Sequence, residues 1–169
     1  MDTIEAIKTR RSIRSWKDRP VPDNLVREIL GAAMYAPSAV NRQPWQLVMI
    51  TDRQLLDKIP EINPYAAIAR KAPMGIMVCG DLHLDMYGGY WPLDCSALTQ
   101  NLLLAAHAKG LGAVWTGVYP GEDRVQGFQR LLNLPQHVVP LALVLLGYPA
   151  ESPGPEDRFR EDRIHYNQW

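Results

Sequence analysis

The sequence predicts a single domain of mixed α and β structure. Segments whose apolar residues recur with helical spacing alternate with short, strongly apolar runs of strand type, and no repeat or low-complexity tract interrupts them. The chain has 169 residues, 47% of them apolar, which is enough for one sizeable core. No Gly-x-Gly-x-x-Gly follows a strand, and this argues against a Rossmann arrangement.

Taken in order, Asp2 caps a short amphipathic run, with Glu5 three positions on as in a capping box. Arg10, Arg11, Ser12, Ile13 and Arg14 follow, three arginines and a hydroxyl within five residues. If this stretch is extended, Arg10, Ser12 and Arg14 share one face and Arg11 and Ile13 the other. Paired guanidinium donors and a hydroxyl suit phosphate oxygens, so Arg10 and Ser12 can bridge an anion. The alternative is a solvated basic surface, the ordinary fate of a charge block.

Residues 22–36 read as a helix with Leu25, Ile29 and Ala32 or Ala33 on one face; a proline stands at its start and Pro37 ends it. It delivers the loop 38–45, in which Pro and Asn are turn formers and Gln43, preceding Pro44, is expected to be extended. A strand at 45–51 and a short helix at 53–59 come next. Pro60, Pro64 and Pro73 punctuate a stretch to which the pattern assigns no element, and 74–80 returns to strand.

The longest helix is expected at 93–109, with Gly110 as its C-cap. Leu98, Leu102, Ala105 and Ala106 form one stripe, but Leu103, Leu104 and Ala108 make most of its circumference apolar. Such a helix is buried on several sides, in one core or against a second subunit. Strands at 113–118 and 141–146 flank a helix at 122–132. The tail, 148–169, carries Pro149, Pro153 and Pro155 and many charges, yet ends in Ile164, His165, Tyr166 and Trp169. It should not fold alone, and its aromatic end either docks on a neighbouring subunit or frays.

Eighteen basic and eighteen acidic residues cancel, so the basic excess of a nucleic-acid binder is missing. The positive charge is local: Arg10, Arg11, Arg14, Lys17 and Arg19 face only Asp18, which suits one small anion. Two cysteines make no disulfide framework, no signal peptide precedes the first helix, and no apolar run suggests a membrane span. A soluble, reducing, cytoplasmic setting is the expectation.

The arginine stretch, followed about a helix later by Ala36, Pro37, Ser38, Ala39, Val40, Asn41, Arg42, Gln43, Pro44 and Trp45, resembles the paired motifs of the nitroreductase family of FMN-dependent oxidoreductases. The resemblance implies an α+β fold: a central, mostly antiparallel sheet flanked by helices and completed by a C-terminal strand exchanged in a homodimer. It implies an FMN-binding domain at 1–147 and an arm at 148–169 lying on the partner. It also implies electron transfer from NADH or NADPH to a flat acceptor such as a nitroaromatic or quinone, in a two-stage cycle.

An FMN site must neutralise the phosphate, supply positive field at the pyrimidine end of the ring and leave one ring face open, while the cofactor does the electron chemistry. No catalytic side chain and no metal is therefore expected. By resemblance Arg10 and Ser12 bind the phosphate and ribityl end, Arg11 assists, and Arg14 points to the pyrimidine edge, where a cation favours added negative charge. Pro37, Ser38 and Ala39 approach from the other subunit, and Asn41 and Gln43 bond the cofactor or hold the loop. Thr116 and Gly117 lie at a strand end over the ring centre, where glycine permits close backbone approach. Members often carry a carboxylate beside this glycine; Thr116 stands there instead, so no acid is expected to act, and Trp115 restricts the substrate. Arg158 supplies a second phosphate contact, with Arg160 and Arg163 as rivals.

Other constellations carry less. Cys79, Asp81, His83 and Asp85 alternate and can in principle ligate a metal, but such a set is more often a strand end running into a polar loop. His107 reads as a satisfied buried or interface histidine, His137 as a turn residue and Cys95 as core. Tyr87, Tyr90 and Trp91, around Gly88 and Gly89, form a flap or a packed loop. Two further readings stand beside the oxidoreductase: a non-catalytic or sensory flavin module, and an anion-binding interaction protein without flavin.

Overall fold

A computed structural model describes all 169 residues. Five α-helices and four strands alternate: α1 (Thr3–Thr9), α2 (Asp23–Ala33), β1 (Trp45–Ile50), α3 (Arg53–Ile62), β2 (Met74–Asp81), α4 (Trp91–Ala108), β3 (Gly112–Gly117), α5 (Glu122–Leu131) and β4 (Val138–Gly147). The strands form one sheet in the order β1-β2-β4-β3, and every pairing is antiparallel. This is an α+β fold with a sheet flanked by helices, as expected.

β2 and β4 are the inner strands and are apolar along both faces, as strands covered on both sides must be. Alternation then sorts their side chains into two cores. Ile76, Val78, Ala142, Val144 and Leu146 pack with α2 and α4; Met77, Cys79, Leu143 and Leu145 pack with α3, α5 and the 3-10 stretch Pro64–Lys71. Pro140, which cannot donate to the ladder, stands opposite Cys79 where the β2–β4 register shifts.

The helices end where local chemistry ends them. Asp2 caps α1 by accepting from Ile4 N at 2.9 Å, although Glu5 does not return the second bond of a capping box. In α2 the buried stripe is Val26, Ile29 and Ala33. α3 runs past the expected 59 through Pro60 to Ile62, because a proline in the last turn forfeits only one intrahelical bond. Asn63 then stops it: wholly buried, it accepts from Tyr65 N (3.2 Å) and donates to Gly117 O (3.0 Å), tying the 3-10 stretch to the end of β3. α4 closes at Lys109, with Gly110 at φ +76° supplying the left-handed residue.

Residues 148–151 lie alongside 14–17, through Lys17 N to Tyr148 O (2.8 Å) and Ala150 N to Ser15 O (2.9 Å). From 151 on every residue is exposed, Phe159, Tyr166 and Trp169 included, and the tail's one regular element is a 3-10 turn at Glu161–Arg163. No helix is long and apolar enough to cross a membrane.

Candidate functional site

The basic arm is positioned by one apolar side chain. After α1 the backbone turns extended at Arg10, Ser12 bridges Ala113 of β3, and Ile13 N donates to Ala113 O at 3.0 Å. Ile13 is buried over Gly112, where an added Cβ would sit 2.6 Å from Ile13 Cγ2. With Ile13 turned inward, Arg10, Ser12 and Arg14 share the other face, and none of their side chains has a hydrogen-bond partner. Arg11 is engaged instead, donating to Lys8 O and Arg10 O (both 2.9 Å) and to Gly154 O (3.2 Å). Glu151 clamps the backbone behind it by accepting from Arg14 N (2.5 Å) and Ser15 N (3.1 Å).

Beside the arm lies a cavity of about 810 Å³, within the range of small-molecule sites. Lys8, Arg10, Arg11 and Arg158 line it together with Gln100, Glu156 and Asp157, four cations against two carboxylates; Arg160 and Arg163 do not reach it. Burial, and then the charges of Arg158 and Arg11, push the Arg10 pKa down. Arg158 is balanced by Glu156, whose carboxyl is lowered first by their hydrogen bond and then by the arginine's charge. Arg10 has no such counter-ion. In a separate hollow that shares only Arg11 with this cavity, His107 of α4 is hydrogen-bonded to Thr9 Oγ1 at 2.8 Å, and its pKa is lowered by burial and then by Arg10 and Arg11. The cavity thus presents uncompensated positive charge to an entering anion.

A second basic hollow, lined by Lys17, Arg19, Arg53, Arg70 and Lys71, differs in kind. Its guanidinium groups are occupied structurally: Arg53 donates to Ala69 O and Ala72 O and pairs with Asp57, Arg70 donates to Asp57 O, and Arg19 lies 3.9 Å over the Tyr148 ring.

The loop 37–43 is held in a strained conformation. Val40, Asn41 and Gln43 have φ of +48°, +56° and +50°, a costly region for a β-branched residue. Gln43 is therefore not extended as its following proline suggests. Its N–H donates to Ser38 Oγ (2.9 Å) and its Nε2 to Asn41 Oδ1 (3.0 Å), and these bonds fix the tight path. Asp94, buried in the first turn of α4, accepts from Ala39 N at 2.9 Å and pins the loop to the long helix. Sequence reasoning missed Asp94; its only local signal is an acid in a helix's first turn.

Thr116 and Gly117 close β3. The Thr116 hydroxyl is buried and donates to Leu143 O at 2.9 Å, so its side chain is spent within the sheet. Gly117 is exposed, with nothing within 4 Å of the place a Cβ would occupy. One chain does not gather all the candidates: Arg10, Arg11 and Arg158 share the cavity, whereas Pro37, Ser38, Ala39, Asn41, Gln43, Thr116 and Gly117 are absent from its lining. Cys79 and Cys95 are buried and free; burial pushes the Cys79 thiol up to about 12 and Cys95 higher still.

Fold and arm together define an α+β protein with an arginine-lined cavity beside its sheet. The model of the Nitroreductase family matches residues 7–71 and 63–148, and the chain belongs to that family. A Methanothermobacter thermautotrophicus protein, provisionally named NADH dehydrogenase/NAD(P)H nitroreductase, is 55% identical over 100% of this chain and 88% of its own length. The crystal structure of a protein with the same provisional name from Parabacteroides distasonis has a TM-score of 0.95 at 42% identity, covering 99% of this chain and 98% of that one. A provisionally named nitroreductase from Desulfovibrio desulfuricans, crystallised with FMN, gives a TM-score of 0.85 at 32% identity over 100% and 98% of the two chains.

Proposed function

We infer that this family member is an FMN-dependent NAD(P)H oxidoreductase, and we propose that its site is completed by a second copy of the chain. The observation that carries the reading is the half-buried, unpaired Arg10 facing Arg11 and Arg158 across one cavity. A phosphate dianion suits this donor set, since each guanidinium contributes forked N–H groups and the mutual repulsion of the arginines is relieved. Ser12 lies on the same face for the ribityl end, and Arg14 holds its charge farther along the arm, where the pyrimidine edge would lie. The open space at Gly117 leaves room for a flat ring against the end of β3, with backbone groups of Thr116 and Gly117 beside it.

The chemistry supplied by bound FMN is two-stage: electrons enter from NADH or NADPH and, once the oxidised nicotinamide leaves, pass to a flat electrophile such as a nitroaromatic or quinone. The chain's part is to grip, orient and partly dry the site. In the homodimer, Pro37, Ser38, Ala39, Asn41 and Gln43 of the second copy close the ring's other side. Support for two copies comes from apolar surface with no cover in one chain: Ile4, Ile7 and Leu93 are exposed, and a hollow of about 470 Å³ between α1 and α4 is lined by Ala6, Leu104, Ala105 and Ala108. The arm 148–169 would lie over the partner and bury Phe159, Tyr166 and Trp169, adding a strand at the free edge of β1, which pairs with β2 alone.

Donor and acceptor sharing one ring face predicts parallel double-reciprocal initial-rate lines at several NAD(P)H concentrations. Intersecting lines would contradict the shared face.

A further inference from the structure

Far from the arginine cavity, the ends of two strands bring together groups that the flavin reading does not use. Asp81 ends β2 opposite Val138, the first residue of β4, so its neighbour His137 is held beside it; Leu82 N donates to His137 O at 2.9 Å. His83 follows one turn later, its backbone N donating to Asp81 Oδ1 at 2.9 Å. The His83 and His137 rings stack with centroids 3.9 Å apart and planes 11° from parallel. Neither ring has a hydrogen-bond partner at either nitrogen; the nearest polar approach is His137 Nε2 to Asp81 Oδ1 at 4.0 Å. One ligand atom from each of Asp81, His83 and His137 lies within 4.8 Å of the others.

We propose that Asp81, His83 and His137 bind a divalent transition metal of the zinc class. Two imidazoles and one carboxylate are borderline donors suited to Zn²⁺ rather than Mg²⁺, and three protein ligands leave a fourth position for water. Ligands around tetrahedral zinc stand roughly 3.4 Å apart, so from separations of up to 4.8 Å the site must close by up to about 1.4 Å. His83 is exposed on the loop 82–90 and supplies most of that movement by side-chain rotation, while the backbone at Asp81 is held by the β2–β4 ladder and that at His137 by Leu82 N, and their side chains close the remaining gap from 4.0 Å. The set differs from the alternating one in the sequence. Cys79 is buried in the core, and the group of ligand atoms within 4.8 Å of one another includes neither it nor Asp85. His137 replaces them from more than fifty positions away along the chain.

An ion there ties the loop 82–90 to the sheet, and the tie extends to the loop 37–43, because Arg42 Nε donates to Leu84 O at 3.1 Å. Metal binding at this end of the sheet requires no flavin. Its test is calorimetric titration of the full chain with Zn²⁺ and, separately, Mg²⁺, repeated on His83→Ala, His137→Ala and Asp81→Asn. Circular dichroism monitors folding, and chymotryptic cleavage at Tyr87 and Tyr90 reports on the loop. The expected result is one Zn²⁺ per chain, no comparable Mg²⁺ uptake, slower cleavage with zinc, and affinity at least about tenfold lower in each variant, since even outer-shell partners cost that much. His83→Ala, at an exposed loop position, keeps the test valid if the other variants fail to fold. No zinc uptake by the unaltered chain, or equal uptake by His83→Ala, overturns the proposal.

Discussion

Gly117 and Gly112 occupy the two ends of β3 and ask opposite things of a side chain. At Gly112 the absent Cβ is filled by Ile13; at Gly117 nothing in the chain fills it. Gly117→Ala should therefore change stability by no more than about 0.5 kcal/mol, as at an ordinary surface position, while FMN retention falls because the ring loses its close approach. Full flavin occupancy in that variant, measured by absorbance after gel filtration, would remove the ring from this strand end. His107 reports on the other end of the cofactor. Burial, Arg10 and Arg11 hold its folded pKa below the ordinary 6.5, so the unfolded chain binds more protons in that window. Stability then falls as pH drops through about 6.5 towards the folded value. Inorganic phosphate beside Arg10 should raise the His107 pKa again, because it offsets the two arginine charges that help to lower it. An NMR titration unchanged by phosphate would contradict an anion site in this cavity.

Among the elements, α4 both fills the core and secures the loop that the family motif marks. Asp94→Ala leaves Ala39 N–H without its acceptor and releases a loop already strained at Val40, Asn41 and Gln43. The expected cost is about 1–3 kcal/mol in chemical denaturation, with weaker FMN retention; Asp94→Asn keeps an acceptor oxygen and most of both. Equal behaviour of the Ala and Asn variants would mean that the bond does not hold the loop. The four strands and the longer helices were legible because their signals are local, as in the apolar runs 74–80 and 141–146 and the Gly110 cap. The arm was legible for the same reason, since an extended Ile13 turned inward fixes where Arg10, Ser12 and Arg14 face. Gln43 was misread because bonds to Ser38 and Asn41 outweighed the preference of a residue before proline. Asp94 was missed because its partner Ala39 is remote in sequence, His137 lies in a turn as expected, and α3 outran its expected end because Pro60 looks like a stop yet costs little in a last turn.

At the scale of the whole molecule, the proposed FMN site is divided between two copies of the chain. The arginine cavity and the end of β3 belong to one copy, while the loop 37–43 is absent from that cavity's lining and the tail lies exposed with its aromatic side chains uncovered. Both features make physical sense if a second copy supplies the missing cover, and the balanced net charge leaves the local arginine field as the means of selecting the ligand. The central claim is that this field grips the cofactor's phosphate. Titrating the full chain with FMN and with riboflavin tests it most directly, because the two ligands differ only in that group. Charge-assisted hydrogen bonds contribute about 1.5–3 kcal/mol each, so FMN should bind on the order of 10–100-fold more tightly, with the gap closing in Arg10→Ala. Equal affinity for the two ligands, or a gap that survives Arg10→Ala, would contradict it.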